Sequence, residues 1–488
     1  MWLALLLAPL LLAPARAEAS HPLYTGVFDP QTFAQANPLA FERVQKAGAT
    51  FVRIVVSWQQ IAPNRRPASG NPQNPDDPRY DYRWGSTDQQ VEEAVHAGLT
   101  PVLDVVDTPD WAHRFPDCFS AQVCAPDPGD FGDFATAAAR RYDGSDGEPR
   151  VHFWQAWNEA NIHQFLMPQF IDGESVSADL YRDMLNAFAS AVKDVDPDNL
   201  VITSGMAPLK RPGSTAPLAF TRRLLCMTGV QRPRPVCEKP VQFDILSTHP
   251  YTPGSPVHRC AGSDDLCLAE LPNLRRLLHA ADLDGQIHSS LDPVAFWVTE
   301  FSWDTDPPDP GGVPLRRHAR WTAQALYEMW HSGVSAVFWF LLRDQPGSGK
   351  APNIFQSGLY LRGHSGLDSD RPKPSLRAFR FPFVAFPHSS HQIFVWGRTP
   401  TSEPGPVIVE VRRHSVWRKV ATVRANGDGI FRRLLRVAPS GDARAVVQDP
   451  YTEDAEADSI PFAIRNTPDM SLHVFGSTFP TGRVISWR

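Results

Sequence analysis

Val151-His152-Phe153-Trp154-Gln155-Ala156-Trp157-Asn158-Glu159 is the stretch from which the fold is read. An apolar, β-rich run ends there in a carboxylate. The same order returns at Val294-Ala295-Phe296-Trp297-Val298-Thr299-Glu300-Phe301. A (β/α)₈ barrel builds its open face from the C-terminal ends of buried parallel strands, so a glutamate at such a strand end belongs to that face.

Outward from these two stretches, strand-like runs alternate with amphipathic helices from about residue 22 to 382, the mark of a parallel α/β fold. Strands are expected at 26–28, 50–56, 100–106, 151–157, 200–204, 243–248, 295–299 and 336–341. That is the number a closed barrel needs. Between them, Phe131, Phe134, Ala135 and Ala138 form an apolar stripe, as do Leu180, Met184, Leu185, Phe188 and Val192. Thr87-x-x-Gln90 has the form of a capping box, and Gly98 is placed to end that helix. Proline-rich loops at 62–81 and 304–314 follow the second and seventh strands and are expected to rise over the open face.

Near Pro382–Pro387 the pattern changes to short alternating strands, 393–396, 407–411, 416–420, 430–434 and 444–447, separated by turns such as Asn426-Gly427-Asp428-Gly429. Short strands without helices read as a small β-sandwich. The expected fold is therefore an α/β (β/α)₈ TIM barrel over residues 18–385, followed by a C-terminal β-sandwich-like accessory domain over 386–488. Trp396 and Trp417 are candidates for polysaccharide contacts in that module. The reading preferred here makes them core residues of a structural cap.

The 488 residues suit a barrel of roughly 250 residues or more plus one small module. A net charge of −6 with scattered basic residues gives no footprint for nucleic acid. Leu3–Ala13 is apolar and Ala15-Arg16-Ala17 is a small-x-small cleavage site, so residues 1–17 read as a signal peptide. The run is too short to span a bilayer, and no other segment qualifies. Six cysteines fall in local pairs, 118 with 124, 226 with 237 and 260 with 267, which suits disulfide staples in a secreted, extracellular protein. No Cys-x-x-Cys or His-x-His cluster points to a metal. No metal or cofactor is expected.

Two carboxyl groups on one face, one protonated and one ionised, are what cleavage of a glycosidic bond requires. Their order and setting resemble the large clan of (β/α)₈ retaining glycoside hydrolases that includes families 5 and 39, over about residues 22 to 380. The resemblance implies a cellulase-like O-glycoside hydrolase acting by double displacement on a carbohydrate or glycoconjugate. By the same likeness, Glu159 at the end of strand four is the acid/base and Glu300 at the end of strand seven the nucleophile. Substrate-binding roles carry over to Arg53 on strand two, Asn158 toward the sugar 2-hydroxyl, and His249 and Tyr251 after strand six. Trp339 at the end of strand eight is carried over as the indole beneath the sugar.

The division makes chemical sense, since a nucleophile needs cationic and hydrogen-bond donors, and an acid/base needs a raised pKa. Many relatives have proline after Trp-Asn-Glu where this chain has Ala160-Asn161-Ile162, so the likeness assigns a clan rather than one family. Trp58, Asp107, Trp111, His113, Trp303 and Asp344 are weaker candidates for the cleft lining. A transglycosylase using the same intermediate and a carbohydrate-binding pseudoenzyme are the alternatives.

Overall fold

The computed structural model describes residues 21–115, 118, 123–145, 147–347, 354–448 and 456–464. The expected signal peptide lies outside them. Eight strands close into a barrel: β1 (Tyr24–Phe28), β2 (Phe51–Ser57), β3 (Thr100–Val106), β4 (Phe153–Ala156), β5 (Leu200–Ile202), β6 (Ile245–Thr248), β7 (Ala295–Phe301) and β8 (Ala336–Phe340). Their order around the barrel is sequential, every neighbour is parallel, and β8 closes on β1. Helices α1 (Pro38–Lys46), α2 (Gly85–His96), α3 (Pro128–Arg141), α4 (Ser177–Val195), α5 (Pro217–Leu224), α6 (Leu271–Leu283), α7 (Leu315–His331) and α8 (Pro374–Arg380) follow the strands in turn.

Alternation along each strand divides the barrel into layers. Phe51, Val102, Ile202, Ile245, Trp297, Ala336 and Phe338 form an apolar plug in the lower interior. Gly26 belongs here because a Cβ at that position would overlap the Phe338 ring. One step up, the inward positions become Arg53, Asp104, Gln155 and Thr299; Arg53 donates to Gln155 and Asp104, and Thr299 pairs with His249. In β7 the register against β8 shifts between Val298 and Phe301. This bulge sends Thr299 and Glu300 both inward, and Phe301 regains the outward phase against Trp303 and Trp339.

The expected capping box does not form. The helix α2 begins at Gly85, which puts Thr87 inside its first turn, and the Gln90 amide turns back to Ser86. Gly98, at φ +72°, does terminate the helix. Proline at the first helical turn sets the start of α1, α3, α5 and α8, where the missing N–H costs nothing.

Two antiparallel sheets follow the barrel: β9 (Phe383–Ser389), β10 (Gln392–Arg398) and β13 (Ile430–Leu435) in one, and β11 (Gly405–Arg413), β12 (Val416–Ala425), β14 (Asp442–Gln448) and β15 (Glu456–Asp458) in the other, with β16 (Phe462–Ala463) paired to β14. Strand β9 begins before residue 386, so the expected division falls inside it. Trp396 is fully buried between Tyr327 and Trp330 of α7, and Arg398 reaches the carbonyl of Leu23 at 2.9 Å. The guanidinium groups of Arg412 and Arg444 lie 5.3 and 4.5 Å from the Trp417 ring centroid. The disulfides are Cys118–Cys124, Cys226–Cys237 and Cys260–Cys267, the pairs suggested by spacing. Among the described residues no helix is long and apolar enough to cross a membrane.

Candidate active site

Arg53 is the hub of the barrel's upper layer. From the middle of β2 its guanidinium donates to Gln155 Oε1 through Nε at 2.8 Å and to Glu300 Oε1 through Nη1 at 2.7 Å. Nη2 donates both to Asp104 Oδ2 at 2.8 Å and to Asn158 Oδ1 at 2.9 Å. The Phe28 ring lies 4.2 Å beneath its central carbon. Arg53 is wholly buried, so these bonds replace the hydration a cation would otherwise require.

Glu300 is 0 % exposed and uses both oxygens, the second accepting from the Tyr251 hydroxyl at 3.0 Å. A cation and a phenol thus both donate to one carboxylate. Burial and the neighbouring Glu300 charge push the Tyr251 phenol well above its ordinary value, so it stays a donor. Phe301 and Phe340 flank the Tyr251 ring and fix it.

Glu159 sits in a different setting. Past β4 the chain turns through two left-handed residues, Trp157 at φ +74° and Glu159 at φ +38°. The turn is anchored by Trp157 N to Val105 O and by Glu159 N to Ser204 O, each at 2.9 Å. Left-handed backbone at non-glycine residues costs of order 1–3 kcal/mol each and persists where surrounding structure enforces it. Here it aims Asn158 at Arg53 and Glu159 at His249. Burial raises the Glu159 carboxyl to about 7, opposed by the more distant charges of Arg211 and Arg53.

His249 joins the two glutamates. Its Nδ1 lies 2.9 Å from Glu159 Oε1 and 3.9 Å from Glu300 Oε1, and its Nε2 lies 3.0 Å from Thr299 Oγ1. Burial lowers the imidazole to about 4, so it is neutral at pH 7. Gly205, at φ +64°, lies against this ring and has no room for a Cβ. The Asn158 Nδ2, buried and with no hydrogen-bond partner among the described residues, is a donor held ready on the same face.

The structure thus brings Arg53, Asn158, Glu159, His249, Tyr251 and Glu300 together at the C-terminal end of the barrel. Trp339 is not with them. It is 1 % exposed, points outward between β8 and the helices, and packs on His318 of α7 and Phe379 of α8. Its indole N–H donates to Ser357 O at 2.9 Å. The inward aromatic at that end of β8 is Phe340, because the bulky phase of the strand is set by Phe338 one layer below.

The weaker candidates are mostly structural. Trp58 is buried against Phe134, Trp303 donates to Thr252 O, and Asp344 holds the Lys373 ammonium at 2.6 Å. Trp111 donates to Pro63 O in the first long loop, and the His113 backbone bridges to Pro126. Asp107 remains at the site's edge, left-handed at φ +67° and accepting from Ser57 Oγ at 2.6 Å. Sequence reading missed Asp104, Gln155, Thr299 and Gly205. Asp104 carried a signal: an acid inside Val102-Leu103-Asp104-Val105-Val106 is buried and needs a buried partner.

No protein-family model and no curated protein matches this chain. Solved structures do. A family 39 glycoside hydrolase from the gut symbiont Bacteroides cellulosilyticus WH2 aligns at 18% identity and TM-score 0.53, covering 86% of this chain and 80% of that one. At that identity the likeness shows a shared fold. A glucosidase from Croceicoccus marinus aligns at 15% identity and TM-score 0.45, over 82% of this chain and 79% of its own. A family 30 subfamily 8 xylanase from Clostridium acetobutylicum aligns at 12% and 0.45, over 86% and 96%. The class defined by fold and site is a (β/α)₈ barrel carrying a buried, paired-glutamate centre.

Proposed function

We propose that this chain is a secreted, retaining O-glycosidase with Glu300 as nucleophile and Glu159 as general acid/base. The observation that carries the reading is the unequal setting of two glutamates that share His249. Glu300 has Arg53 and Tyr251 on its oxygens, whereas Glu159 faces the neutral imidazole and is raised to about 7. Two carboxyl groups with environments pushed apart in this way divide into base and acid.

Because His249 Nδ1 lies 2.9 Å from one glutamate and 3.9 Å from the other, their nearest oxygens are at most about 7 Å apart. Carboxyl groups stand roughly 5–5.5 Å apart in retaining enzymes, a spacing that this bound admits. In the first step a Glu300 oxygen bonds the anomeric carbon as the glycosidic oxygen leaves with the Glu159 proton. In the second, Glu159 takes a proton from water, the hydroxide oxygen bonds the anomeric carbon, and Glu300 departs as carboxylate. Asn158 Nδ2 is free to donate to a sugar hydroxyl throughout. Three disulfides suit the oxidising compartment that export implies.

The test is mass spectrometry of the intact protein after exposure to activated 2-deoxy-2-fluoro glycosides, with peptide mapping. A sugar adduct on Glu300 is expected. An adduct on another residue overturns the role assignment, and none from glucoside, xyloside, mannoside or glucuronide probes counts against turnover.

A further inference from the structure

One buried acid of the upper layer has no task in the scheme above. Asp104, in the middle of β3, is 1 % exposed; its Oδ2 accepts from Arg53 Nη2 at 2.8 Å and its Oδ1 has no hydrogen-bond partner among the described residues. The same guanidinium donates to Glu300 at 2.7 Å. The charged and titratable groups facing Asp104 are Arg53 from β2, Glu300 from β7, Asp107 at the end of its own strand and Tyr181 from α4. The neutral amide of Asn158 shares the Arg53 nitrogen that binds Asp104. One enclosed cation therefore serves two enclosed carboxyl groups.

Forming a glycosyl ester converts Glu300 from an anion to a neutral group. A buried cation that loses its partner is strongly destabilised. Resting on the glycosidase reading, we propose that Asp104 is a positioning residue that alternates with Glu300 as counter-charge to Arg53, carrying the anion while Glu300 is esterified. In the free enzyme, burial and the Glu300 charge raise the Asp104 carboxyl to about 7. As the Glu300 oxygen bonds the anomeric carbon and the leaving group takes the Glu159 proton, the Glu300 charge disappears and Asp104 releases its own proton to solvent. When water, deprotonated by Glu159, displaces the ester, the bonding pair returns to Glu300 as carboxylate and Asp104 takes up a proton from solvent.

The experiment follows labelling by dinitrophenyl 2-deoxy-2-fluoro glycosides of glucose, xylose and mannose, whose leaving group needs no proton from Glu159. It reads two rates, label formation and reactivation of the purified labelled enzyme. In Asp104→Asn the amide oxygen still accepts from Arg53 but the side chain cannot ionise. Label formation should slow about tenfold or more and reactivation should quicken by a similar factor, since a neighbouring unit charge moves such equilibria by one to three decades. Equal rates in variant and wild type overturn the proposal, as does a parallel fall in both, which a loosened Arg53 would give. Should Asp104→Asn not fold, Glu159→Gln alone decides: its label formation should rise between pH 6 and 9 as Asp104 ionises, and a flat profile overturns the proposal. Failure of wild type to label Glu300 with any probe removes the parent reading and this one together.

Discussion

Two layers of side chains fill one barrel, supplied by the same strands. The lower, from Phe51, Val102, Ile202, Ile245, Trp297, Ala336 and Phe338, is apolar. The upper, around Arg53, Asp104, Gln155 and Glu300, is charged and equally shut off from water. Burial stabilises the lower layer by roughly 25 cal/mol per Å² of apolar surface and tolerates rearrangement among hydrophobic shapes. The upper layer is held by mutual hydrogen bonds, so each member constrains the others, and it leaves the two glutamates in different settings.

The largest effect should come from Glu300→Gln. It keeps the shape of the side chain and removes the attacking charge, and turnover should fall by about four orders of magnitude or more, read on aryl glycosides. Retention of more than a few per cent of wild-type kcat would show that the upper layer is not catalytic. Next come paired losses in the two layers. Phe338→Ala opens a cavity in the plug and should cost about 3–5 kcal/mol in denaturant unfolding, with kcat per folded molecule little changed. Arg53→Met should destabilise by about 3–5 kcal/mol as well, because it strands two carboxyl groups, and should also abolish turnover. If both variants lose stability and activity in the same proportion, the layers are one unit and the distinction fails.

A smaller effect isolates one bond of the upper layer. Tyr251→Phe removes the hydroxyl that donates to Glu300 at 3.0 Å and leaves the ring between Phe301 and Phe340. A hydrogen bond to a charged group is worth about 1.5–3 kcal/mol, so kcat/KM should drop by about 10- to 100-fold with little change in Tm. A wild-type kcat/KM would mean that Arg53 alone holds the carboxylate.

The lower layer and the strand order were legible because eight apolar runs recur between helical stripes, and burial on both faces writes parallel strands as continuous hydrophobic text. That same continuity hides phase. Ala336-Val337-Phe338-Trp339-Phe340 offers no polar residue to say which side faces in, so Trp339 reads as an inward indole and stands outward. Glu300 is placed inward by a bulge that simple alternation does not contain, since Thr299 already occupies the inward phase. That Arg53, Glu159 and Tyr251 meet on one face was legible from their places within the second strand, at the end of the fourth and just after the sixth. The sharing of Arg53 between Glu300 and Asp104 was not, because it depends on the distance across the barrel and not on spacing along the chain. The helix α2 shows the matching limit for local motifs: Thr87 and Gln90 have capping-box identities, and the helix starts at Gly85, two residues before Thr87.

His318 offers the subtlest test, since it is an ionisable group outside the upper network. It lies on α7, buried between Trp303 and Trp339, and burial together with the Lys373 charge pushes its imidazole down to about 3. An unfolded histidine titrates near 6.5. Below that pH the unfolded chain binds a proton that the folded chain refuses, so the folded state loses stability as pH falls from about 6.5 toward 3. At pH 5 the penalty from this one residue is about 2 kcal/mol, and at pH 8 it is absent. His318→Leu, of similar volume, should therefore raise Tm at pH 5 relative to wild type by more than it does at pH 8. An equal shift at both pH values would mean that packing, not proton refusal, governs the site. A penalty confined to low pH would show instead that a titratable group without bonded counter-charges weighs on this fold in a way that the bonded Arg53 layer avoids.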